Sequence, residues 1–218
     1  MANKGKFIVL EGLDGCGSTT QLHKLKEWFD GKGSSYGQAW ATWEPTDGPV
    51  GNVIRLALKK RLQRFDEMTM ALLFAADRTD HIYRNGEGGQ ETGILDKLNQ
   101  GIHVISDRYV LSSLAYQARA LGLDWVSTAN AFALTPDVTI YLDLPAEVAA
   151  DRMAKGRSHQ DMYEELHEQQ QIRLQYEAAM DYLMKKGHKF LRVKGDSSPA
   201  EVHEAIVQAI TPLLKDNG

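Results

Sequence analysis

The sequence predicts an α/β fold, a five-stranded parallel sheet with helices on both faces. Two observations carry this. A short, unbroken apolar run at residues 7–10 and mainly apolar runs at 102–106 and 138–144 are of the kind buried on both sides of a parallel sheet. Longer segments of helical periodicity alternate with them along the chain. A third feature, a glycine-rich turn between the first run and the first helix, points to the end of the sheet where a ligand binds.

Taken in order, residues 6–11 are the first strand. Residues 19–31 form a helix with Leu22, Leu25, Trp28 and Phe29 on one stripe, ended by Gly31 and Gly33. A weaker strand is expected over 36–43, then a loop over 44–49, whose two prolines and glycine interrupt regular structure. Residues 50–60 read as helix. Asp66 caps the next helix, with Thr69 three positions on, and Met68, Leu72, Ala75 and Ala76 are its expected core stripe. Three glycines in 85–89 mark an excursion before the helical pattern resumes at 93–99. Strand 102–106 follows, then helices 111–121 and 124–134, strand 138–144, helix 146–155, a polar break at 156–160, helix 161–186, strand 190–193 and helix 199–214. No linker, repeat or low-complexity tract divides the chain, so residues 1–218 read as one domain.

The 218 residues are 43% hydrophobic and 25% charged with a net charge of −4, an ordinary globular balance that gives no basic surface for nucleic acid. No apolar stretch reaches membrane-spanning length and the N-terminus lacks a signal-type run, so a cytoplasmic protein without membrane contact is expected. The single cysteine, Cys16, excludes an internal disulfide and a cysteine-rich metal site.

The turn Gly12-Leu13-Asp14-Gly15-Cys16-Gly17-Ser18-Thr19-Thr20 has the spacing of a P-loop. Its glycines let successive N–H groups face a phosphate, and the helix that begins there presents its positive dipole end. Gly12, Asp14, Gly15, Cys16, Gly17, Ser18, Thr19 and Thr20 are therefore the expected ATP-binding residues. Thr19 supplies the hydroxyl for Mg²⁺. Ser18 stands where the pattern has lysine, so a hydroxyl replaces an ammonium that would neutralise phosphate charge. In such sheets the residues closing each strand converge on one crevice. Here these are the P-loop, Glu44-Pro45 and Asp107-Arg108. Asp107 suits Mg²⁺ beside Thr19, or a helix cap; Arg108 suits a bound phosphate, or a structural ion pair.

Residues 7–21, FIVLEGLDGCGSTTQ, resemble the opening of thymidylate kinases. So do FAADR at 74–78, SDRY at 106–109 running through Ser112-Ser113 to Ala115-Tyr116-Gln117, and Pro136-Asp137 leading into 141–144. The resemblance covers nearly the whole chain, and it implies a P-loop NTPase-type fold with a short lid, about 152–164. It also implies transfer of the ATP γ-phosphoryl group to dTMP with Mg²⁺, and a homodimer. By position, Asp14, Glu44, Phe74, Arg78, Arg108, Ser113, Tyr116 and Gln117 are the expected dTMP-binding residues. Phe74 stacks on the base, or belongs to the core; Tyr116 fills the space of a 2′-hydroxyl. Arg108 and Asp14, with the lid cations Lys155 and Arg157, form the expected catalytic set, and Thr19 and Asp107 the metal set. The sequence departs from the family at Ser18, at Trp43 in place of an arginine before Glu44, and at Met162 in place of a lid arginine. A nucleotide-binding relative with weakened catalysis, or a kinase for another nucleoside monophosphate, are the alternative readings.

Overall fold

The computed structural model describes residues 4–63, 65–86, 91–153 and 159–215, with the side chains of 159–165 left aside. The elements run β1 (Phe7–Gly12), α1 (Ser18–Asp30), β2 (Ala39–Trp43), α2 (Pro49–Leu58), α3 (Glu67–Tyr83), α4 (Ile94–Asn99), β3 (His103–Asp107), α5 (Val110–Leu121), α6 (Leu123–Ala129), β4 (Val138–Asp143), α7 (Ala146–Met153), α8 (His159–Met184), β5 (Phe190–Lys194) and α9 (Pro199–Lys215). One sheet holds the five strands in the order β2-β3-β1-β4-β5, every pair parallel. β1 lies at the centre, and Phe7, Ile8, Val9 and Leu10 are buried, as an unbroken apolar run requires when helices cover both faces. α1 and α9 pack together as one layer; α5, packed on α3, α6 and α8, forms the other.

The chain leaves β1 for β2 on one side of the sheet and later reaches β4 on the other. The reversal opens a crevice beyond the C-terminal ends of β1 and β3, the switch point where ligands bind in open α/β sheets.

Three expected elements differ. The helix expected over 124–134 ends at Ala129. β2 starts only at Ala39, because Ser34–Tyr36 form a 3₁₀ turn and Trp28 stacks on Tyr36 with ring centroids 5.7 Å apart. The expected core stripe of α3 is also displaced. Of the expected residues Ala75 is buried, but Met68 and Leu72 are about half exposed and Ala76 is exposed, whereas Ala71, Asp77, Arg78, His81 and Ile82 are buried. Apolar spacing misjudged this face because its polar residues satisfy one another inside the protein. The Asp66 cap is present: its carboxylate accepts from the Thr69 N–H at 2.9 Å. Of the 85–92 excursion, residues 87–90 lie outside the described residues.

Candidate active site

β1 ends at Gly12, and the chain turns into α1 through Gly15 and Gly17, at φ +77° and +92°, conformations that disfavour any side chain. A Cβ at Gly12 would lie 2.9 Å from the Leu142 carbonyl oxygen on the neighbouring strand. The tight turn therefore depends on these glycines. No side chain caps α1 at Gly17, which leaves the first N–H groups of the helix for an anion. Ser18 and Cys16 are buried, and burial pushes the Cys16 thiol up, so it sits in the loop as a small neutral group. Thr19 and Thr20 are exposed.

Asp107 closes β3 next to the turn. Thr19 Oγ1 donates to Asp107 Oδ2 at 2.6 Å, while Asp107 Oδ1 is buried with no hydrogen-bond partner among the described residues. Trp43 pairs with Asp107 in the strand register and is 37% exposed.

Arg108 follows with φ +69°, a conformation uncommon outside glycine. Its backbone is held at both ends, since its N–H donates to the Leu10 carbonyl at 2.9 Å and its own carbonyl accepts from Ser106 Oγ at 2.9 Å. The guanidinium donates to Asp14 Oδ1 at 2.5 Å, Tyr176 OH at 3.1 Å, Ser112 Oγ at 3.2 Å and the Gly12 carbonyl at 3.3 Å, and lies 5.8 Å over the Tyr116 ring. The Asp14 contact ties the P-loop to the end of β3.

Beside this pair lies a cavity of about 1030 Å³. All eight expected acceptor-site residues, Asp14, Glu44, Phe74, Arg78, Arg108, Ser113, Tyr116 and Gln117, line it. Phe74 is half-buried on the cavity wall. Leu58, Leu62, Phe65 and Met70 also line it, as do Arg119 and Glu168, which form an ion pair.

Glu44 and Arg78 are joined to each other. Arg78 Nε donates to Glu44 Oε2 at 2.8 Å, and its other nitrogens reach Ser113 Oγ at 3.1 Å and Asn130 Oδ1. Both side chains are 3% exposed. The other Glu44 oxygen meets His81 Nδ1 at 3.1 Å, whose Nε2 meets Thr42 Oγ1 at 2.7 Å. Glu44 thus orients Arg78 rather than offering a free carboxylate. Asp77 fixes the loop after Glu44 by accepting from the Thr46 N–H and hydroxyl at 2.7 and 2.6 Å.

Glu11, at the end of β1, is wholly buried and accepts from the N–H groups of Tyr109 and Ser112 at 2.8 and 3.0 Å and from Ser112 Oγ at 2.5 Å. Burial pushes its carboxyl up to about 7, against the opposing pull of Arg108 and of these donors. Glu11, His81, Asn130 and Tyr176 are site residues that sequence reasoning missed. The one available signal was Glu11, an acid inside an otherwise apolar strand. Of the lid, Lys155 and Arg157 lie outside the described residues, as does the side chain of Met162. Arg152, at the end of α7, donates to the Gly15 carbonyl at 2.9 Å.

A parallel sheet of this order with a glycine turn leading from β1 into α1 defines a P-loop nucleotide-binding protein. The family model for thymidylate kinase matches residues 10–206. A probable thymidylate kinase of Pyrococcus abyssi is 41% identical over 214 residues, covering 95% of this chain and 96% of the relative. One of Thermococcus kodakarensis is 37% identical over 219 residues, covering 95% and 98%, and one of Methanococcus maripaludis is 33% identical over 219 residues, covering 97% and 98%. The chain belongs to the thymidylate kinase family.

Proposed function

We propose that this protein transfers the γ-phosphoryl group of ATP to dTMP, giving ADP and dTDP. The observation that carries the reading is the Asp14–Arg108 pair, which joins the P-loop to a cavity lined by every expected acceptor residue. Two anionic substrates can then meet head to head at one point, the arrangement in-line phosphoryl transfer needs.

The resemblance supplies the roles, and the geometry of the described residues supports those of the P-loop, Arg108 and Arg78. N–H groups of residues 12–19 hold the ATP phosphates. Arg108 holds the acceptor phosphate: Asp14 occupies one side of its guanidinium, and Nε has no acceptor among the described residues. Phe74 stacks on the base. Arg78 has most of its donors engaged and keeps an N–H for a base carbonyl. Ser113 and Gln117 line the base and sugar region, and Tyr116 excludes a 2′-hydroxyl. Lys155 and Arg157 supply lid cations.

The residues fit Mg²⁺. Thr19 Oγ1 and the unpartnered Asp107 Oδ1 are hard oxygen donors at one place, and Mg²⁺ is held by one or two such groups plus substrate phosphates and water. Among the described residues no group of three or more His, Cys, Asp or Glu could hold a metal alone. Bound there, the ion would neutralise charge on the ATP phosphates.

No helix among the described residues is long and apolar enough to cross a membrane, and we place the enzyme in the cytoplasm with its nucleotide substrates. We also assign it a homodimer through α3, which exposes Met68, Leu72 and Tyr83. Sedimentation would show the state in solution. The function is tested by supplying ATP with a panel of nucleoside monophosphates and scoring both binding and product. Transfer to dTMP above the other acceptors is expected. Binding of dTMP without product would overturn the kinase reading in favour of a binding protein, to which Ser18 lends weight.

A further inference from the structure

The polar group that holds Arg108 from the far side comes from α8, a helix to which the sequence analysis gave no part in the site. Tyr176 is wholly buried. Its ring packs against Tyr141 at 5.4 Å and, edge to face, against Tyr116 at 6.1 Å. Its hydroxyl lies 3.1 Å from an Arg108 guanidinium nitrogen, 3.0 Å from Ser112 Oγ and 3.4 Å from Glu11 Oε2.

The donors and acceptors along this path admit a consistent order. A guanidinium only donates, so Tyr176 oxygen accepts from Arg108. The phenol proton is then free to point to Ser112 Oγ. The Ser112 proton points to Glu11 Oε2, 2.5 Å away and an acceptor when ionised. The path therefore runs from a cation to a carboxylate through two hydroxyls, and each bond polarises the next. It crosses three elements, β1, α5 and α8, and ends on a guanidinium whose backbone is itself in the left-handed region. A side chain on a backbone of that kind keeps its aim only when its surroundings over-determine it.

We propose that the Tyr176 hydroxyl is a positioning group for Arg108, fixing the plane of the guanidinium so that its unengaged N–H groups face the phosphate of the acceptor nucleotide. Asp14 pulls the guanidinium toward the P-loop, and Tyr176 and Ser112 hold the opposite nitrogen toward α8 and α5. Without the hydroxyl, that nitrogen keeps only its longer contacts, Ser112 Oγ at 3.2 Å and the Gly12 carbonyl at 3.3 Å, and the N–H groups meant for the acceptor lose their alignment. The inference rests on the reading of Arg108 as the acceptor-phosphate residue.

The test compares Tyr176→Phe, Arg108→Ala and the native chain, using dTMP and thymidine, the same molecule without its phosphate. The phenylalanine keeps the ring and its packing. For Tyr176→Phe, the KM for dTMP should rise about tenfold, as for loss of a bond to a charged group. The KM for ATP and kcat should stay within about twofold, and thymidine binding should be unchanged. A purely structural role would instead weaken dTMP and thymidine alike and lower the melting temperature. Ser112→Ala cuts the same path from α5 and is read in the same way should Tyr176→Phe not fold. If Arg108→Ala weakens dTMP but neither path variant does, the positioning role is wrong while the site assignment stands. If Arg108→Ala leaves dTMP affinity intact, the site assignment itself falls.

Discussion

Thr19 Oγ1 donates a 2.6 Å hydrogen bond to Asp107 Oδ2, joining the first turn of α1 to the last residue of β3. The other Asp107 oxygen is buried and unpartnered among the described residues, a costly state unless a cation completes it. Asp107→Asn keeps the shape and removes the charge. Its expected effect is a loss of about 10²-fold in kcat/KM, in line with the loss of one charge-stabilising group, partly recovered at high Mg²⁺. Titrating Mg²⁺ against rate checks this; an unchanged half-saturating Mg²⁺ concentration would remove Asp107 from the metal site.

The Glu44–Arg78 pair is almost fully desolvated, with both side chains 3% exposed. Removing one partner of such a pair strands the other as a buried charge, at a cost of about 3–5 kcal/mol. Arg78→Met should therefore destabilise the fold by roughly that amount, as well as weakening acceptor binding. Urea unfolding at neutral pH measures it. A loss under about 1 kcal/mol would mean that His81 alone satisfies Glu44.

Much of this was legible in the residues, and the reasons for the remainder are physical. β1, β3 and β4 are covered on both faces, so they read as mainly apolar runs, and the polar residues within them, Glu11, His103, Ser106 and Thr139, are buried as well. The P-loop was legible because a backbone that wraps a phosphate needs glycine at set positions. Strand-end residues such as Asp107 and Arg108 could be placed beside the glycine turn because topology dictates where strands end. Glu11 and Tyr176 were not found, because their significance lies in contacts across 165 positions of sequence. Asn130 likewise meets Arg78 from 52 residues away. Periodicity sees the face of a helix and not its partner. It therefore assigned Met68 and Leu72 to the core, whereas Asp77 and His81 occupy it through paired hydrogen bonds.

Glu11 makes stability depend on pH in a stated direction. Its carboxyl lies near 7 in the folded protein against 4.5 when unfolded, so between these values the folded state binds more protons. Stability from this group is therefore intact at acid pH and declines as pH rises through 4.5 to 7. The shift corresponds to about 3 kcal/mol when complete. In Glu11→Gln the dependence disappears. Relative to the native chain, the variant should gain about 2–3 kcal/mol between pH 5 and pH 8 in chemical denaturation. A difference that stays constant with pH would place the Glu11 carboxyl in the ordinary range.

Ser18 is the point where the charge balance of the phosphate loop is short by one cation. The residue is buried at the start of α1, directly after Gly17, where a lysine would extend along the loop toward the ATP phosphates. A serine there donates one hydrogen bond but neutralises nothing, and a charge-stabilising group of this kind is worth on the order of 3 kcal/mol in the transition state. Ser18→Lys should therefore raise kcat, by up to about 10²-fold if no other cation serves the β- and γ-phosphates. Steady-state kinetics of the native chain, Ser18→Lys and Arg157→Ala separate the cases. A large gain for Ser18→Lys with Arg157→Ala unaffected identifies an uncompensated loop. An unchanged rate for Ser18→Lys, together with a sharp loss for Arg157→Ala, shows that the lid arginine has taken over the missing ammonium.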